Sequence, residues 1–101
     1  MNGLNQTTEG LTGNHLKAFK ELVSLGAPVV NPIGSGYEQY THDNCQFVMD
    51  GEQGMTDFLD YYPASYTKWY NGTYSDEVHE ILEKYGLYGE WANPAVLTIC
   101  E

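Results

Sequence analysis

Apolar side chains recur at Leu16, Phe19, Leu22 and Val23, and the run ends at Gly26. That is the three, four and seven spacing of one helical face. The pattern predicts a helix opening at Asn14, or at Thr12 one turn earlier, since either residue serves as an N-cap. Lys17 and Glu21, four apart on the opposite face, add modest support. Gly26 suits the left-handed residue that closes a helix, and Pro28 stops any continuation. The polar Gly/Asn/Thr-rich stretch before this helix, residues 1–13, reads as a flexible N-terminal arm, with residues 14–101 forming a single domain.

After the helix the period changes. Val29 to Ile33 is a short apolar step interrupted by Pro32 and followed by Gly34-Ser35-Gly36, which predicts a loop with at most an edge strand. Two alternating runs come next, Tyr37–His42 and Cys45–Asp50, and Asp43-Asn44 between them suits a two-residue hairpin turn. In the second run Cys45, Phe47 and Met49 share the apolar face. Thr56 begins a short helix through Tyr62, ended by Pro63. Ser75 then caps a second long helix. Asp76 and Glu77 stand in its first turn, and Val78, Ile81, Leu82 and Tyr85 form its apolar stripe. Gly86 closes it, with Leu87 placed for the hydrophobic contact of a Schellman motif. The chain returns as two strands, Leu87–Ala92 and Ala95–Cys100, around an Asn93-Pro94 turn. The fold class is therefore α+β: two main helices packed on one face of a small antiparallel sheet of about three to four strands.

Charge changes what such a domain can do. Fourteen acids stand against four lysines and no arginine, a formal charge of −10 on 101 residues. A field of that sign repels phosphate backbones and anionic lipid and draws basic partners in. Direct nucleic-acid binding and membrane attachment are both disfavoured, because each needs Lys and Arg. No apolar run approaches the ~20 residues that span a bilayer. Without a leader pattern at Met1 the expected compartment is the cytoplasm, with Cys45 and Cys100 as reduced thiols, although two cysteines are able to pair. Cys45 then reads as a small core residue, and no cofactor or metal is implied: His42 and Cys45 face across a turn, while His15, His79 and Cys100 stand without ligand spacing.

Catalysis finds little support. A cysteine nucleophile needs an electropositive setting, and paired acids such as Asp57 and Asp60 are not placed by spacing on facing walls of a cleft. The segment from Phe58 to Tyr74 holds seven aromatics: Phe58, Tyr61, Tyr62, Tyr66, Trp69, Tyr70 and Tyr74. Part of it fills the core, and part is free to form a contact face, a role for which tyrosine is favoured. Carboxylates on helix turns stand about 5–6 Å apart, close to the spacing of phosphates along a nucleic-acid strand. The candidate partner-binding residues are Asp57, Asp60, Tyr61, Tyr66, Trp69, Tyr70, Glu77, Glu80 and Glu83.

High acidity, absent arginine, abundant tyrosine and the stretch Ile81-Leu82-Glu83-Lys84-Tyr85-Gly86-Leu87-Tyr88-Gly89-Glu90-Trp91-Ala92-Asn93-Pro94 resemble the small inhibitor proteins of bacteriophages, the anti-CRISPR and DNA-mimic groups. The resemblance is one of character along the whole chain. Those groups share no single fold, so it transfers no site residues. It implies a non-catalytic inhibitor that occupies a basic surface of a host defence complex, a CRISPR-Cas effector foremost, in the bacterial cytoplasm. The rival reading is a small-ligand or carbohydrate module that uses residues 58–74 as its wall. A third is a chain that assembles with itself as a homodimer.

Overall fold

The computed structural model describes residues 4–42, 44–51 and 74–101. Two α-helices lie among them, α1 (Gly13–Leu25) and α2 (Asp76–Lys84), with four strands: β1 (Val29–Val30), β2 (Phe47–Asp50), β3 (Tyr88–Asn93) and β4 (Val96–Cys100). The strands form one antiparallel sheet in the order β1-β2-β4-β3. This is the α+β class that the periodicities predict.

Both helices end as their sequences require. Gly26 takes the left-handed conformation (φ 92°). Its N–H donates to Val23 O at 3.0 Å, and the Ala27 N–H donates to Leu22 O at 3.0 Å, the paired bonds of a Schellman closure. On α2, Gly86 donates to Glu83 O at 3.1 Å and Leu87 to Leu82 O at 2.8 Å, with Leu87 buried beneath. At the other end of α2 the Ser75 hydroxyl accepts the Val78 N–H at 3.3 Å. Thr12 occupies the N-cap of α1, but its side chain does not cap.

Alternation along the strands divides the apolar side chains. Val29, Phe47, Met49, Leu97 and Ile99 join Phe19 and Leu22 of α1 and Val78 and Leu82 of α2 in the main core. Phe19 meets Phe47 edge to face, centroids 5.0 Å apart. Val30, Val48 and Val96 form a second, smaller cluster under Leu4, Tyr37 and Tyr40. Each fully buried aliphatic contributes about 1.5–3 kcal/mol, so both clusters matter to a chain of this size. β3 and β4 make the hairpin expected around Asn93-Pro94, with a register shift between Trp91 and Asn93.

Two expectations are corrected. Residues 37–42 are not a strand: Glu38–Tyr40 is a 3₁₀ turn, and only the His42↔Cys45 bridge remains of the predicted hairpin. Local bonds win there. The Gly34 N–H donates to the Glu38 carboxylate at 2.8 Å, and the Tyr40 N–H to Tyr37 O at 3.0 Å. The tight turn brings Tyr37 and Tyr40, three apart, onto the same valine cluster. β2 takes its partners instead from β1, in the stretch read as a loop with at most an edge strand, and from β4. Second, the thiols are not free: Cys45 and Cys100 form a disulfide across a separation of 55 residues. Residues 4–12 are bonded to the chain that follows α1. Asn31 N–H donates to Asn5 O at 2.7 Å, and the Gln6 side chain donates to Ala27 O and Val29 O. The short helix predicted from Thr56 lies outside the described residues.

Candidate functional site

α2 carries its charge on one side because its other side is fixed by burial. Val78 and Leu82 are fully buried, and Ile81 and Tyr85 pack against the same core. The intervening acids, Asp76, Glu77, Glu80 and Glu83, are therefore left exposed. Glu80 stands four residues after Asp76 and three from both Glu77 and Glu83, so neighbouring carboxylates are about 5–6 Å apart at their stems. Like charges at this spacing repel. The helix tolerates them through its Ser75 cap, its Schellman closure and its buried stripe.

Lys84, the lysine of α2, is committed elsewhere. Lys84 donates to the α1 carboxylate of Glu21 at 2.7 Å, and the Tyr85 hydroxyl donates to the other oxygen of the same group. Those two hydrogen bonds hold the Glu21 carboxyl below its usual pKa, and the same contacts raise those of Lys84 and Tyr85. The Lys84 ammonium also lies over the Tyr85 ring, 5.2 Å from its centroid. The network ties α2 to α1 and takes Lys84 out of the acidic row. Half-buried His79 stands 3.8 Å from Glu83 and beside the Tyr74 ring.

Of the nine residues expected at the site, Glu77, Glu80 and Glu83 are brought together on this exposed face. Asp57, Asp60, Tyr61, Tyr66, Trp69 and Tyr70 lie outside the described residues. Tyr74, the described member of the aromatic segment, is buried in the core at 5% exposure, so for that residue the packing role holds. Asp76, exposed in the same first turn as Glu77, belongs to the acidic row although it was not among the nine candidates. The Glu21–Lys84–Tyr85 link joins residues more than sixty apart and leaves no local signal in the sequence. An acidic row of this kind offers multiple hydrogen-bond acceptors to Lys or Arg side chains. No protein-family model matches the chain, and comparison with curated proteins and with solved structures returns no match to either.

Proposed function

We propose that this domain is a non-catalytic binding protein whose acidic α2 face docks onto a basic surface of a partner protein or nucleoprotein complex. The observation that carries the reading is the row Asp76, Glu77, Glu80, Glu83, exposed together on one helix whose lysine is already held by Glu21. The net charge of −10 extends that row into a long-range field, which speeds encounter with a basic target. The resemblance to phage inhibitors narrows the proposal to a host defence complex, a CRISPR-Cas effector foremost, blocked by occupation of the surface that holds nucleic acid. Placement in the host cytoplasm belongs to the same proposal. The Cys45–Cys100 bond bears against that placement, because disulfides persist mainly in oxidising surroundings.

The test is affinity capture from nuclease-treated bacterial lysate at low and high salt, with Glu80→Lys/Glu83→Lys as comparison. The expected result is a basic, nucleic-acid-handling complex recovered at low salt, weakened at high salt and lost with the double variant. Glu80→Lys also replaces repulsion by attraction toward Asp76 and Glu77, so it should leave the fold intact or strengthen α2 by about 0.2–0.5 kcal/mol per pair. Binding that ignores both salt and charge reversal refutes the proposal.

A further inference from the structure

A cleft of about 350 Å³ opens on residues that the acidic-helix reading does not use. Its volume falls within the range of sites for small organic ligands, roughly 300–1,000 Å³. One wall is the turn before α1, from Glu9 to Thr12. The second is Asn31–Ile33, and the third is Thr41, His42 and Gln46.

The walls are locked to one another. Fully buried Asn31 donates through its amide to Thr7 O at 2.9 Å and Glu9 O at 2.7 Å, and its side-chain oxygen accepts the Ile33 N–H at 3.0 Å. Gln46 accepts the Thr12 N–H at 2.9 Å and donates to the Thr12 hydroxyl at 3.1 Å. The His42 and Cys45 main chains exchange two bonds, and Cys45 is covalently fixed to Cys100. A cleft built this way does not have to be ordered when a ligand arrives.

These same bonds decide what the cleft accepts. Both amide hydrogens of Asn31 and one of the two on Gln46 are already used, and the Thr41 hydroxyl donates to Glu38 O at 3.1 Å. Acceptors are left over: the Thr41 oxygen, and the exposed Glu9 carboxylate, which has no hydrogen-bond or ion-pair partner among the described residues. Beside them Pro32 and Ile33 present an apolar wall. Ile33 is 44% exposed and, with Tyr88, is one of the two large apolar side chains left open among the described residues. No lysine lines the cleft among the described residues. A ligand that pairs with Glu9 and covers Ile33 brings donors, positive charge and an apolar body.

We infer that this cleft binds a small organic amine, its ammonium held by Glu9 and the Thr41 oxygen and its aliphatic or aromatic body laid on Pro32 and Ile33. An ammonium group carries three donors and no acceptor, which matches Glu9 and the Thr41 oxygen.

The test is a two-dimensional amide NMR titration of the disulfide-bonded protein with phenethylamine, and with phenylacetate as the anion of matching shape. Phenethylamine should move the Gly10, Thr12, Ile33 and Thr41 amides saturably, and phenylacetate should not. Glu9→Gln and Ile33→Ser, both at exposed positions, should each weaken binding roughly fivefold while leaving the rest of the spectrum in place. Three results overturn the inference: no saturable movement at the cleft, movement confined to the α2 acids, or equal binding by phenylacetate or by Glu9→Gln.

Discussion

His15 occupies the first turn of α1 with 1% of its surface exposed, and its ring stands edge-on to Phe47 at 6.0 Å. Its Nε2 has no hydrogen-bond partner among the described residues. Burial pushes its pKa below 6.5, while the Ile99 backbone and the Glu101 charge oppose the shift without reversing it. The folded chain thus resists protonation where the unfolded chain accepts it. The stability that neutral His15 supports is complete above about pH 6.5 and is lost as pH falls below that value toward the folded pKa. Between about pH 7 and about pH 5, thermal melts of the wild type should shift downward, and His15→Leu should flatten that dependence. An unchanged slope in the variant would assign the acid sensitivity elsewhere. His15 belongs to the core with Ala18, Phe19 and Leu22, a spacing that is visible in the sequence once histidine is admitted to the apolar set.

Among the elements, the Cys45–Cys100 bond ties a residue two positions before β2 to the end of β4. Closing a loop of this length removes unfolded-state entropy worth about 4 kcal/mol in the chain model, and losses of about 2–4 kcal/mol are typical. Cys45→Ser with Cys100→Ser, or reduction of the wild type, should lower denaturation midpoints by that margin. A change within a few tenths of a kcal/mol would show that the strands carry the junction without it. The elements differ in how legible they were. Both helices and the terminal hairpin could be read directly, because caps, closing glycines and alternation are local signals, whereas Val29–Ile33 was read as a loop with at most an edge strand. The 3₁₀ turn was not, since Tyr37–His42 alternates like a strand until the Glu38 carboxylate takes the Gly34 N–H. The disulfide and the bonding of residues 4–12 were hidden as well. Each depends on residues distant in sequence, and Asn5, Gln6 and Asn31 look like ordinary loop residues until their partners are known. Of the candidate site, the Glu77–Glu80–Glu83 row was legible from helical spacing, whereas the cleft walls come from three separate segments.

At the scale of the whole molecule, the charge of −10 acts on folding and on binding with opposite signs. Self-repulsion opposes the compact state, and salt screens it. Melting temperature should therefore rise as sodium chloride is added, while affinity for a basic partner falls. Calorimetry across a salt series separates the two effects on one sample. A melting temperature that falls or stays level with salt would mean that attractive pairs such as Glu21–Lys84 outweigh the repulsion.

Three consecutive residues hold distant parts of the chain together: Asn44 accepts the Glu101 N–H, Cys45 is bonded to Cys100, and Gln46 clasps Thr12. Under tension this junction works as a bypass. A pull entering before α1 and leaving after β4 crosses from Cys45 to Cys100 through sulfur, and the intervening loop stays slack. α2 lies inside that loop, so its acidic row keeps its shape while the ends of the chain are under load.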